Sequence, residues 1–127
     1  MREKSRDAER GFTLIELLVV ILIVGTLAAI AVPVFIGQQD SAKDAQAVSD
    51  LSLAKKALML WSTDNDGTFT NSLADLADYG YSNTAAVTGT AIDILVSGDD
   101  FCIEATSDSG RTFSVTQNTL IDEGDCA

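Results

Sequence analysis

The chain has 127 residues, room for one small domain and an appendage, with 8 Lys+Arg against 19 Asp+Glu, a net charge of -11 and no histidine. Without histidine there is no Ser-His or Cys-His pair for nucleophilic catalysis. So acidic a surface also repels phosphate backbones and argues against direct nucleic-acid binding; it suits the solubility of an exported domain.

The charge is unevenly placed. Residues 1 to 11 hold Arg2, Lys4, Arg6 and Arg10 against Glu3, Asp7 and Glu9. Between Phe12 and Gln39 the only ionisable side chain is Glu16, and from Asp64 onward the only base is Arg111. Phe12 to Gly37 reads FTLIELLVVILIVGTLAAIAVPVFIG, longer than the roughly 20 apolar residues that cross a bilayer. The bases on its N-terminal side predict a cytoplasmic leader and an exported remainder.

Three readings of this segment compete. Ala29-Ile30-Ala31 fits a signal-peptide cleavage site, which would leave a mature chain beginning at Val32. A plain membrane anchor fits equally well by length. Neither has a use for Glu16, because a carboxylate inside the membrane costs roughly 2.5–3.5 kcal/mol near the centre and less toward an end. A snorkelling acid near the interface is the bland explanation, and a cationic partner is the functional one.

Gly11-Phe12-Thr13-Leu14-Ile15-Glu16, set between a charged leader and an apolar run, resembles the processing site of type IV prepilins and their pseudopilin relatives. The resemblance covers about the first third of the chain. It implies cleavage between Gly11 and Phe12 by a membrane-embedded prepilin peptidase, and methylation of the new Phe12 amine by the same enzyme family. It further implies pairing of Glu16 with the Phe12 amine of a neighbouring subunit. A helical homopolymer would then grow from an assembly platform in the inner membrane. Elementary chemistry is consistent with each step. Gly11 lets a peptidase approach the backbone, methylation keeps the amine charged, and two charges in lipid need one another.

Beyond the apolar run, Ala47, Leu51, Ala54, Leu58 and Trp61 recur at spacings of four and three, the stripe of an amphipathic helix. Lys55 and Lys56 fall off the stripe, and Asp44 and Asp50 are expected on the polar side. One nearly continuous helix from about Phe12 to about Ser62 is predicted, roughly 75 Å long at about 1.5 Å per residue. Gly25 and Pro33 are its weak points, and Pro33 predicts a kink. In pilins resembling this chain, that stretch is thought to unwind during assembly, so both are candidate assembly residues; ordinary tolerance of Gly and Pro in membrane helices is the alternative.

Asp64-Asn65-Asp66-Gly67 is predicted to end the helix in a turn. Residues 64 to 91 read as a loop with one helical turn around Leu73, Leu76 and Tyr79. Three strands follow, Ile92 to Val96, Phe101 to Thr106 and Thr112 to Gln117. Turns at Ser97-Gly98-Asp99-Asp100 and Asp108-Ser109-Gly110 join them into an antiparallel meander. One sheet face is expected to cover the helical stripe.

The fold class is therefore α+β and pilin-like: a long N-terminal helix, transmembrane in its first half and amphipathic in its second, packed on a small sheet of about three strands. The divisions are a leader at 1–11, a membrane and assembly half at 12–37, an amphipathic half at 38–63 and a head at 64–127. Cys102 and Cys126 are the only cysteines. An exported topology favours one disulfide, worth about 3–4 kcal/mol, as in pilins that close their C-terminal region this way; two free thiols are the alternative.

Asp64 and Asp66 are a weak calcium candidate, since pseudopilin heads bind calcium, but the loop register is wrong beyond Gly67 and a helix-capping turn explains them better. No cofactor and no enzymatic activity are expected. The function implied is that of a structural pilus subunit, for motility, adhesion or DNA uptake, with a type II secretion pseudopilin as the alternative. The disulfide tilts this reading toward pili. The expected location is the cytoplasmic membrane before assembly, single-pass with the leader inside, and an extracellular filament afterwards.

Overall fold

The computed structural model describes residues 11–82 and 89–126. The leader charges and part of the expected loop, residues 83–88, lie outside the described residues. The order of elements is helix α1 (Leu14–Asp64), a 3₁₀ helix (Leu73–Tyr79), then strands β1 (Ala91–Ser97), β2 (Asp100–Thr106), β3 (Thr112–Thr116) and β4 (Asp122–Glu123). The chain divides after Gly37 into two compact units.

In the first unit, α1 passes through Gly25 and Pro33 without interruption. Its apolar side chains are exposed from Leu14 to Ile36. The one hydroxyl in this run, on Thr26, donates to the Ile23 carbonyl at 2.9 Å, so this side chain is not left bare in an apolar setting. α1 is long and apolar enough to cross a membrane.

In the second unit, α1 buries Ala47, Leu51, Ala54, Ala57 and Leu58 against one face of the sheet. The strands run in the order β1-β2-β3-β4, each antiparallel to its neighbour. Across the sheet, Ile94 pairs with Ile103, which pairs with Val115; Ile92 pairs with Ala105, which pairs with Phe113. These apolar pairs all point at the helix, because alternate residues of a strand share a face. Leu76 of the 3₁₀ helix and Tyr81 close one end of the core. Phe69 meets Phe101 edge to face with ring centroids 4.8 Å apart.

The small antiparallel sheet of about three strands is present, with a fourth added: a two-residue acidic segment pairing with Phe113 and Ser114. A pair of acids carries no alternating apolar signal, so β4 was invisible in the sequence. Three finer expectations need correction. The loop holds a seven-residue 3₁₀ helix where one turn was expected. β3 stops at Thr116, one residue short of Gln117. Asp44 and Asp50 are buried rather than on the polar side. Each has hydrogen-bonding partners inside the fold, which offsets the cost of removing a carboxylate from water.

The turns follow from their residues. α1 ends with Asp66 and Gly67 at φ 57° and 82°, and the Gly67 N–H donates to the Ser62 carbonyl at 2.9 Å, a left-handed helix cap. β1 and β2 join through Gly98-Asp99, with Ser97 paired to Asp100 and Gly98 at φ 64°. A two-residue hairpin of this kind needs a positive φ at its first position.

Candidate functional site

The candidate processing segment begins just before α1. Gly11, Phe12 and Thr13 are not helical. A Cβ at Gly11 would meet nothing within 4 Å, and Phe12 is 92% exposed. The bond between them therefore lies in exposed, non-helical backbone. The helix starts where it does because Thr13 and Glu16 form a capping box. The Thr13 N–H donates to Glu16 Oε2 at 2.9 Å, and the Glu16 N–H donates to Thr13 Oγ1 at 3.3 Å. Each side chain satisfies a backbone donor that the first helical turn leaves without a partner. The Thr-x-x-Glu spacing is the sequence signal for this arrangement, and the capping role of Thr13 was missed. Glu16 thus has a local partner before any second subunit is considered. Gly25 and Pro33 lie within the exposed apolar run, and a Cβ at Gly25 would also meet open space.

Cys102 and Cys126 are bonded, with Cα atoms 5.9 Å apart. The bond lies on the face of β2 that points away from the core. The C-terminal strand and tail reach it by crossing β3. The Gly124 N–H donates to the Thr112 carbonyl at 2.9 Å, Ser114 Oγ donates to the Asp125 carbonyl at 3.3 Å, and the Cys126 N–H donates to Glu104 Oε2 at 3.2 Å. The segment before β4 is tied to the helix by Lys55, whose Nζ donates to the Thr119 carbonyl at 3.0 Å.

Of the two residues named for calcium, Asp64 has a protein partner. Asp64 accepts a hydrogen bond from Tyr79 Oη at 2.9 Å, and this bond holds the Tyr79 hydroxyl above its usual pKa range. Asp75 accepts from Thr70 at 2.7 Å. Among the described residues no three acids or cysteines converge as a metal site would require.

A polar cluster that the sequence did not reveal joins the β2–β3 turn to α1. Asp44 accepts a hydrogen bond from Ser109 Oγ and faces Arg111 Nη1 at 3.4 Å. Lys43 reaches Asp108 at 3.4 Å. The Ser109 hydrogen bond, helped by Ser107 and Arg111, lowers the Asp44 pKa against the opposing effect of burial. The partners come from positions 65 and 67 residues away, so no local pattern signals them.

The sequence family described as the prokaryotic N-terminal methylation motif matches residues 6–32. This chain carries a prepilin-type N-terminus. Several curated proteins of one description are similar over part of the chain. The type II secretion system core protein G of Escherichia coli (strain K12) is 42% identical over 62 residues, covering 49% of this chain and 43% of that protein. Core protein G of Pseudomonas aeruginosa is 42% identical over 61 residues, with 48% and 43% covered. Core protein G of Vibrio cholerae is 37% identical over 62 residues, with 49% and 42% covered. The match thus spans less than half the length of these relatives. No solved structure gives a significant match. Neither the motif family nor these relatives carry an enzyme's name.

Proposed function

We propose that the chain is a structural subunit of the pseudopilin kind, assembled into a short fibre of a type II secretion system. The observation that carries this reading is the methylation motif at residues 6–32 continuing into an apolar helix that the fold leaves uncovered. A soluble domain gains nothing from exposing that surface; lipid and then other copies of the same helix can cover it. The similarity to core protein G favours the secretion reading over the type IV pilus that the disulfide suggested.

The steps follow from the residues. A prepilin peptidase cuts between Gly11 and Phe12, where the backbone is open, and the new Phe12 amine is methylated. The apolar half of α1 holds the subunit in the cytoplasmic membrane with the leader inside. Glu16 then exchanges or shares its contact with Thr13 for the Phe12 amine of a neighbour, which fixes register. Gly25, with its low helix propensity, and Pro33, which lacks an N–H, are where the apolar half accommodates packing. The head stays outside the membrane, stapled by Cys102 and Cys126, and self-association rather than catalysis is its work.

Mass spectrometry of the mature chain tests the first step: a peptide beginning at methylated Phe12 is expected, and a mature chain beginning at Val32 overturns it. Deleting the gene tests the assignment to secretion. Loss of exported enzymes with surface filaments unchanged is expected, and loss of surface filaments with export intact returns the chain to the pilus class.

A further inference from the structure

The part of α1 inside the head turns the usual charge pattern round. Ala42, Ala45, Ser49, Leu53, Lys56 and Leu60 recur at spacings of three and four, and all six are exposed. They form the face opposite the buried stripe. In a chain of net charge -11, that outward face holds no acid at all. The acids of this stretch lie elsewhere: Asp44 and Asp50 are buried, and Asp40 lies beside Lys43. Instead Leu53, Met59 and Leu60 are 43%, 41% and 56% exposed around Lys56. A shallow groove runs along this patch, lined by Ser52, Lys55, Lys56, Met59, Leu60 and Thr63. Lys43 and Arg111 face acids within 4 Å and Lys55 holds the Thr119 carbonyl. Among the described residues, Lys56 has no such partner.

The opposite combination occurs at the β1–β2 corner. Leu95 and Val96 are exposed, and the turn beside them presents Asp99 and Asp100 to solvent. We propose that the outward face of α1 around Lys56 and Leu60 docks on the β1–β2 corner of a second copy of this chain. Charge decides between the possible pairings. Two copies meeting through the helix face alone would set Lys56 against Lys56, and two corners meeting would set acid against acid. Helix face on corner matches base to acid and apolar patch to apolar patch. Because the two patches differ, each subunit leaves one of each free, so the contact propagates into an open chain instead of closing as a dimer. The proposal rests on the filament reading and supplies it with a contact between heads.

The test uses the full-length chain in its native membrane, with a photoreactive benzoylphenylalanine replacing Leu60, and Leu53 in a second strain. The expected product is a covalent pair of this chain whose cross-linked peptide contains residues 95–100. Lys56→Glu should lower the yield by roughly three- to tenfold, in keeping with a surface ion pair turned repulsive, and adding Asp99→Lys with Asp100→Lys should restore it. Cross-links to lipid, to another protein or to a different part of the head overturn the contact, as does an undiminished yield from Lys56→Glu. Polymers that form without the cross-link overturn the contact and leave the filament reading standing. The cross-link in chains that never polymerise does the reverse.

Discussion

Thr13 and Glu16 hold each other across the first turn of α1, each side chain accepting the other's backbone N–H, at 2.9 and 3.3 Å. Glu16 therefore has two separable properties, a capping oxygen and a negative charge. Glu16→Gln keeps the first and removes the second, since glutamine also serves in a capping box. Glu16→Val removes both, and Thr13→Ala removes only the cap, at a cost of about 1 kcal/mol. If the charge is what assembly requires, Gln and Val variants both insert in the membrane and fail to polymerise, while Thr13→Ala still polymerises. Polymers from Glu16→Gln would show that the cap suffices.

The Cys102–Cys126 bond closes a loop with a sequence separation of 24. In the chain-entropy model such a loop contributes about 3.5 kcal/mol. Cys102→Ser with Cys126→Ser should lower the melting temperature of the head by roughly 10–25 °C, given the size of the unit. Circular dichroism of the detergent-solubilised chain measures this. An unchanged melting temperature would mean that the hydrogen bonds from Gly124, Ser114 and Cys126 hold the tail alone.

Asp44 gives the head a specific acid sensitivity. Its pKa is lowered from 3.8, first by the Ser109 hydrogen bond. A carboxyl whose folded pKa is depressed stabilises the fold above its unfolded pKa, and that contribution is lost as the pH falls through the folded value. The loss should therefore begin near pH 3.8 and continue below it. Asp44→Asn should be less stable than the parent at pH 7 and should show a smaller further loss on acidification. Melting curves between pH 7 and pH 2.5 decide it.

Much of this molecule was legible in its sequence, for reasons that differ by element. The apolar run and Glu16 announced the first unit because length and one misplaced charge are local signals. The stripe from Ala47 to Leu58 and the alternation of Phe101, Ile103 and Ala105 showed which faces meet, because helical and strand periods differ. Asp44 was misread because its partners lie in the β2–β3 turn, and a carboxylate placed by distant partners looks like any solvated acid. β4 was missed because its strand pairing is a property of the backbone, without an apolar pattern to mark it. In the candidate site, Gly11, Phe12 and Glu16 stood out by motif, whereas Thr13 was read only as part of that motif and not as a cap.

Gly89 separates two effects of adding a side chain. It adopts φ +72°, and a Cβ there would lie 2.9 Å from the Asp108 side chain, which itself reaches Lys43. Gly98 adopts φ +64° with nothing within 4 Å. Gly98→Ala should cost only the left-handed backbone, about 1–2 kcal/mol. Gly89→Ala should cost more, because Asp108 must move as well. Chemical denaturation of both variants tests the order, and equal losses would mean that Asp108 yields freely.

The two units should also fail separately. Leu58 is fully buried between α1 and the sheet, and Leu58→Ala should cost about 2–5 kcal/mol, enough to leave much of the head unfolded at physiological temperature. The candidate processing segment lies in the other unit and draws its local order from Thr13 and Glu16. Leu58→Ala should therefore still be cut after Gly11 and still gain a methylated Phe12, while protease digestion removes its head at rates far above the parent's. If cleavage of the leader fails along with the head, then the peptidase requires a folded head, and the exposed bond between Gly11 and Phe12 is not enough to make a substrate.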